Sequence, residues 1–439
     1  MRVLLYSYNY YPEPIGIAPL MTELAEGLVK RGHEVRVVTA MPWYPASEIA
    51  PEYRNRLFAT EERNGVLIQR CYVWAKKERS FRNRALFELS FAGLSFFQAL
   101  RGWRPDAIFL TIPGLPVCVP AILLSRLYGA PMILNVQDIL PDAAVHVGLI
   151  RNPKMIRLFE KLESLAYRHA HKIAVIADGF VDNLLKKGVK SAKIREIPNW
   201  VDTHFIKPLF QPSNYFRREN SLEDKFVVLY SGNIGLTQPL ETLIEAAGLL
   251  QSQTDIQFVI VGEEDATERL SRYCQRRRIH NVLFRPFQPR QQLPEMLAAA
   301  DIVTVLQKEN VISFNMPSKI QVLLSSQRPI VASVPADGTA AKAVNGSGGG
   351  VVVPPEDPQA LANAILALYY SPAQMAQLAQ AGRRYAENYY RFDLALDRYE
   401  ELLTEAIAKP AQVMQKKLAL RNWDCRCEST SLGSDLSVG

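Results

Sequence analysis

The chain has 439 residues, of which 48% are hydrophobic and 22% charged, enough to bury more than one core and too apolar for extended disorder. Its 51 Lys and Arg against 44 Asp and Glu leave a net charge of +7, which favours anionic partners: sugar nucleotides, phospholipid head groups or nucleic acid. Glycine (23) and proline (28) follow no period, which excludes collagen-like and low-complexity classes.

The first residues, Met1-Arg-Val-Leu-Leu-Tyr-Ser-Tyr8, lack the long apolar core and cleavage site of a signal peptide and predict a strand at 3–6. Leu20, Leu24 and Leu28, with Met21 and Ala25, form a helical stripe that Gly32 stops. Strands are predicted at 35–39, 66–70, 107–110, 132–136 and 172–176. The apolar stretch 108–124 is broken by Pro113, Pro116 and Pro120, so it cannot supply the roughly 20 clean residues of a membrane span. After a polar run to about residue 224 the alternation restarts, with strands at 226–230, 256–261, 282–284, 302–306, 330–333 and 350–353. Helices at 360–370, 373–390 and 394–408 follow, and from Lys409 the composition is that of a disordered tail. Strands alternating with amphipathic helices predict an α/β fold with two parallel sheets, in domains 1–200 and 201–390. The scattered Cys71, Cys118, Cys274, Cys425 and Cys427 are expected to be free thiols in a reducing cytoplasm.

In open α/β sheets ligands bind beyond the carboxyl ends of strands. The loop after the first strand, Ser7-Tyr-Asn-Tyr-Tyr-Pro-Glu-Pro-Ile-Gly16-Ile, ends at a helix, and Gly16 permits close backbone approach. Tyr230-Ser-Gly232-Asn233-Ile-Gly235-Leu-Thr-Gln238-Pro239 is again strand, glycine loop, helix, suited to cradling a diphosphate on backbone N–H groups. It is neither the dinucleotide fingerprint nor a Walker loop. Pro317-Ser318-Lys319 opens a further helix and adds a hydroxyl and a mobile cation. Asp138 and Asp142 straddle Pro141 and suit either acid–base work or helix capping. His169-x-His171 lacks a third metal ligand, no Asp-x-Asp occurs, and no basic run supports nucleic-acid binding.

Together these pieces resemble glycosyltransferase family 4, nearest the colanic-acid-type exopolysaccharide enzymes, from residue 1 to about 405. The resemblance rests on Tyr11-Pro-Glu-Pro-Ile-Gly16, Arg31-Gly-His-Glu-Val35, Val136-Gln137-Asp138-Ile-Leu-Pro-Asp142, Ile197-Pro-Asn-Trp-Val-Asp202, the Gly232–Gly235 loop, Phe258-Val-Ile-Val-Gly262 and Pro317-Ser318-Lys319. It implies the GT-B fold, two Rossmann-like domains facing a cleft, with a helix at about 391–408 crossing back to the first. It implies retaining transfer of a sugar from a nucleotide-diphosphate sugar to a lipid-linked or oligosaccharide acceptor, with no metal or other cofactor. Gly16 would lie near the diphosphate and transferred sugar, and Gly232, Asn233 and Gly235 would line the diphosphate. Ser318 and Lys319 would meet phosphate or ribose, Gly262, Glu263, Arg285 and Phe287 the base, and Asp138 and Gln137 the reacting sugar. Gln137 stands where many members have histidine, and Asn233 and Gln238 replace the usual Arg and Lys. Phe314 and Val322 occupy the positions of two family glutamates. These departures leave a catalytically silent scaffold in a polysaccharide assembly complex as the alternative. The non-hydrolysing nucleotide-sugar epimerases share the two-domain form, but this chain is poorly supplied with the acid–base residues they need.

Residues 76–104 carry seven Lys and Arg against two Glu, net +5, around Phe81, Phe87, Phe91, Phe96, Phe97 and Trp103. The segment is expected either to lie at an anionic membrane surface or to pack its apolar face into the N-terminal core, and both hold if its basic end stays exposed.

Overall fold

The computed structural model describes residues 1–408 except 15, 45, 79, 102, 113, 140, 141, 143, 144, 146–151, 210–213, 236 and 312–315, and Phe81 by its backbone only. The expected tail at 409–439 and Phe314 lie outside the described residues. The first sheet contains β1 (Arg2–Tyr6), β2 (Glu34–Ala40), β3 (Phe58–Arg63), β4 (Val66–Cys71), β5 (Ala107–Ile112), β6 (Met132–Val136), β7 (Lys172–Val175) and β8 (Ile194–Glu196). Their order is β3-β4-β2-β1-β5-β6-β7-β8. β1 runs parallel to both β2 and β5, with Val3 opposite Val35 and Ala107. Central parallel strands are covered on both faces, and β5 is accordingly buried at every position. The exception is β3, antiparallel to β4 across Asn64 and Gly65, whose φ values of 49° and 79° fit a two-residue hairpin turn.

The second sheet contains β9 (Phe226–Ser231), β10 (Ile256–Gly262), β11 (Val282–Pro286), β12 (Ile302–Leu306), β13 (Ile330–Ser333) and β14 (Gly350–Val353), ordered β11-β10-β9-β12-β13-β14. In each sheet the chain winds outward in one direction and then restarts on the other side. The reversal falls between β1 and β5 in the first sheet and between β9 and β12 in the second. A crevice opens beyond the strand ends at such a point.

By their contacts the described residues group into two compact units: Met1–Asn135 with Ser164–Ile173 and the chain from Arg398, and Val136–Glu163 with Ala174–Asp397. The first is closed by the last turns of helix Phe392–Ile407, where Tyr399, Leu402 and Leu403 are at most 1% exposed. Glu400 accepts from Arg31 Nη1 at 2.7 Å and pairs with His33 Nε2 at 2.9 Å, while Glu405 takes Lys172 at 2.8 Å. The Arg31-Gly-His33 sequence is thus structural, with Gly32 at φ +84° turning the chain between the two side chains.

The aromatic segment takes the core-packing alternative with part of its rings. Helix Phe81–Ala99 buries Phe91 completely and Phe87 to 6% exposure, so these two rings belong to the core and not to a lipid surface. Phe91 packs on Tyr6 and Tyr8, and Phe87 stacks on Tyr8. Cys71, Cys118 and Cys274 are buried free thiols. Among the described residues, no helix is long and apolar enough to cross a membrane.

Candidate active site

The reversal in the second sheet places the loop after β9 beside the chain leaving β12, where Lys308 N donates to Thr237 O at 3.0 Å. Gly232 has φ +138°, and a Cβ there would stand 2.8 Å from Lys319 Nζ. The positive φ favours glycine, and a side chain there would have to displace the amine. Lys319 Nζ lies 3.8 Å from the centre of the Tyr230 ring, and Tyr230 is fixed by its hydroxyl, which donates to Asn233 O at 2.7 Å. The amine is buried and has no hydrogen-bond partner among the described residues. Desolvation brings its pKa down to about 7. An isolated buried cation is costly, a cost that an anion placed beside it would offset.

Around it the glycine loop is closely packed. Gly262 has no room for a Cβ, which would reach 2.5 Å from Ile234 Cδ1. Gln238 Oε1 accepts from Gly235 N at 3.0 Å, so that N–H is already used. Ser318 precedes helix Lys319–Ser325 with its hydroxyl making no capping bond. Glu263 is exposed at the end of β10, and Phe287, 44% exposed, follows β11. Arg285 is turned away: its guanidinium is held by Asn220 and by the carbonyl of Phe284. Thus Gly232, Asn233, Gly262 and Lys319 come together about Tyr230, Gly235 bonds to Gln238 further along the loop, Ser318 and Glu263 flank them in sequence, and Arg285 is engaged elsewhere.

Gln137 accepts from Asn199 Nδ2 at 2.8 Å. Asp138 is half-buried, and burial raises its carboxyl against the opposing bond from Ile139 N. Asp142 is not its acid–base partner, being committed to Lys187 at 2.9 Å and Asn183 at 3.0 Å, with Lys187 also bound to Glu163. His169 and His171 turn to Arg126 and to the backbone of Met132. No group of three or more potential metal ligands exists among the described residues.

The reversal in the first sheet opens a pocket of about 220 Å³. Its walls are aromatic, with Tyr8, Trp43, Tyr44 and Phe87, and its polar groups include Asn9 and Arg84. Gly16 lines it at φ +72°, and Gly114 admits the Tyr8 ring where a Cβ would stand at 1.8 Å. Tyr8 donates to Glu88, which also binds Arg84 at 2.5 Å. Glu13 ties two pocket loops together, its Oε1 accepting from Trp43 N at 3.1 Å and Tyr44 N at 3.0 Å, and its Oε2 from Asn9 at 2.6 Å.

A glycosyl transferase 4-like domain matches residues 16–200, and the glycosyl transferases group 1 domain matches residues 213–385. WcaI of Escherichia coli (strain K12), named as a colanic acid biosynthesis glycosyl transferase, is 34% identical over 333 residues, 74% of this chain and 81% of its own. The chain belongs to the family 4 glycosyltransferases. WbjE of Pseudomonas aeruginosa, named as a glycosyltransferase, is 24% identical over 61% of this chain and 64% of its own. The fold is GT-B, shared with sucrose-phosphate synthase of Thermosynechococcus elongatus at TM-score 0.70 and 18% identity over 92% of this chain and 98% of the other. Anabaena HepE, solved in complex with UDP-glucose, matches at TM-score 0.67 and 17% identity over 92% and 100%. In this glycosyltransferase, sequence reasoning did not single out Tyr230 as the ring beneath the amine, Asn199 as the partner of Gln137, or Glu13 as the tie between loops. The Ser7–Gly16 loop singled out from sequence supplies one wall of the pocket, and Trp43-Tyr44, just past the carboxyl end of a strand, is the signal for the other.

Proposed function

We propose that this glycosyltransferase moves a sugar from a nucleotide-diphosphate sugar to a lipid-linked or oligosaccharide acceptor of exopolysaccharide assembly, with retention of anomeric configuration, at the cytoplasmic face of an anionic membrane. The observation that carries the donor half is the Lys319 amine, buried against glycine backbone with no counter-ion among the described residues. A diphosphate supplies the missing anion. As the bond from the anomeric carbon to the diphosphate oxygen breaks, charge grows on that oxygen, and the Lys319 ammonium stabilises it. The acceptor oxygen bonds to the anomeric carbon on the same face, and its proton passes to the departing diphosphate. Asp138 and Gln137 orient sugar hydroxyls in this reading, and no metal has a part. HepE, of the same fold, binds UDP-glucose, and the E. coli relative is named for colanic acid; both support the substrate class. The aromatic pocket of the first unit suits a sugar ring and is assigned to the acceptor.

Calorimetric titration with a panel of nucleotide-diphosphate sugars tests this. At least one should bind the wild type, and Lys319→Ala should weaken it at least about tenfold, 1.4 kcal/mol, while nucleoside binding changes less. Unchanged donor affinity in the folded variant removes Lys319 from the site, and an inverted product by NMR removes the retaining mechanism.

A further inference from the structure

Helices Phe81–Ala99 and Cys118–Tyr128 connect β4 to β5 and β5 to β6. Both crossovers advance the same way along the sheet, so right-handed connections set the helices on one side of it. They lie together, with Tyr128 hydroxyl donating to Ala99 O at 3.3 Å. Leu89 and Phe97, two turns apart on the first helix, are 63% and 62% exposed. On the second, Val119, Leu123 and Leu127 recur every turn at 41%, 47% and 62% exposure. Single exposed leucines need no explanation, but these share one outward face of neighbouring helices. Its rim is cationic. Arg82 lies in the first turn of the first helix, and Arg101 stacks on Phe58 beyond its end. Arg126 bonds to His169 in the last turn of the second helix. Trp74, 37% exposed, donates its backbone N–H to Ser90 at the helix flank, with Lys76 Nζ 5.3 Å from its ring centre.

We infer that this two-helix face seats on the head groups and outer acyl region of an anionic bilayer. An apolar centre, a tryptophan edge and arginines without a carboxylate partner among the described residues match that surface, apolar below and anionic above. A second copy is the poorer occupant, because a two-fold contact would set the arginine rim against its own image. The inference rests on the membrane-side reading above and names the surface that engages.

Flotation of the full chain with phosphatidylcholine vesicles, with and without phosphatidylglycerol, decides it. Wild type should float with the anionic vesicles, and Leu123→Glu with Leu127→Glu should cut the bound fraction about tenfold. Leu89→Glu with Phe97→Glu should do the same, and Arg101→Glu with Arg126→Glu should weaken binding and flatten its salt dependence. Donor-induced thermal stabilisation, retained in every variant, reports an intact fold. Either leucine-bearing pair floating like wild type overturns the proposal. So does wild type floating equally without anionic lipid, or a wild-type dimer in ultracentrifugation that the apolar variants dissociate. Wild type that floats but shows no donor-induced shift overturns the donor reading and leaves this one standing.

Discussion

At Lys319 the interests of binding and of stability oppose each other. The amine's pKa stands at about 7 in the folded chain, against 10.5 for an ordinary lysine. Between those values the unfolded chain holds the extra proton, so the stability of the ligand-free protein rises with pH across that window. Lys319→Met keeps the side-chain length and suits the Tyr230 ring. At neutral pH it should stabilise the empty protein by on the order of 1–3 kcal/mol in denaturant titration while abolishing the donor contribution. If a diphosphate binds as proposed, it restores the proton. Affinity for a diphosphate diester should therefore fall as pH rises above about 7, approaching tenfold per unit, with proton uptake seen by calorimetry in buffers of different ionisation enthalpy. Binding without proton uptake at alkaline pH would show that the amine is already charged in the empty site. Gly232→Ala should act on the same atom, since its Cβ would stand 2.8 Å from Nζ. An affinity loss of about tenfold with little change in nucleoside binding is the expected calorimetric result.

Among the elements, the loops after β1 and β2 are held by one carboxylate. Burial raises the Glu13 carboxyl, opposed by bonds from Asn9 and from the backbone of Tyr44 and Trp43. Glu13→Ala leaves the part-buried N–H groups of Trp43 and Tyr44 unpaired and should cost on the order of 1–3 kcal/mol, read as a lower urea midpoint. A loss under about 1 kcal/mol would mean that packing alone holds the pocket loops. The contrast with the strands shows what sequence discloses. Buried parallel strands such as Ala107–Ile112 are continuous apolar runs, so both sheets were readable. Strand Phe58–Arg63 was not, because as an edge strand it alternates polar and half-buried residues, although Asn64-Gly65 signalled its hairpin. Ile194–Glu196 is too short to show a period, and helix Tyr215–Glu219 hid in the polar run. The glycine loop was legible because glycine at a strand end has few other uses. Tyr230, Asn199 and Glu13 act through partners distant in sequence, which no local pattern discloses. For Phe87 and Phe91 the sequence left surface and core open, because basic flanks suggest a surface and only the sheet beneath shows the core.

For the whole molecule, closure depends on the last helix. Arg31, first, and His33 hold the Glu400 carboxyl below its usual range. That contribution is present above the ordinary carboxylate value and is lost as pH falls through the lowered one. Glu400 is 31% exposed at its side chain, so Glu400→Gln should cost only about 1 kcal/mol at neutral pH. The difference from wild type should vanish in strongly acidic denaturant titrations; a constant difference would assign the effect to packing. The tie between His33 and Glu400 spans 367 residues. A ribosome adding about 5–20 residues per second needs roughly 20–70 s to cross that interval. Until it has done so, the surface destined for Tyr399, Leu402 and Leu403 is bare, so the half of the protein that is synthesised first is finished last. Through that interval apolar surface stays uncovered at the first-made end, and a premature stop within the final helix removes packing from the opposite end of the sequence.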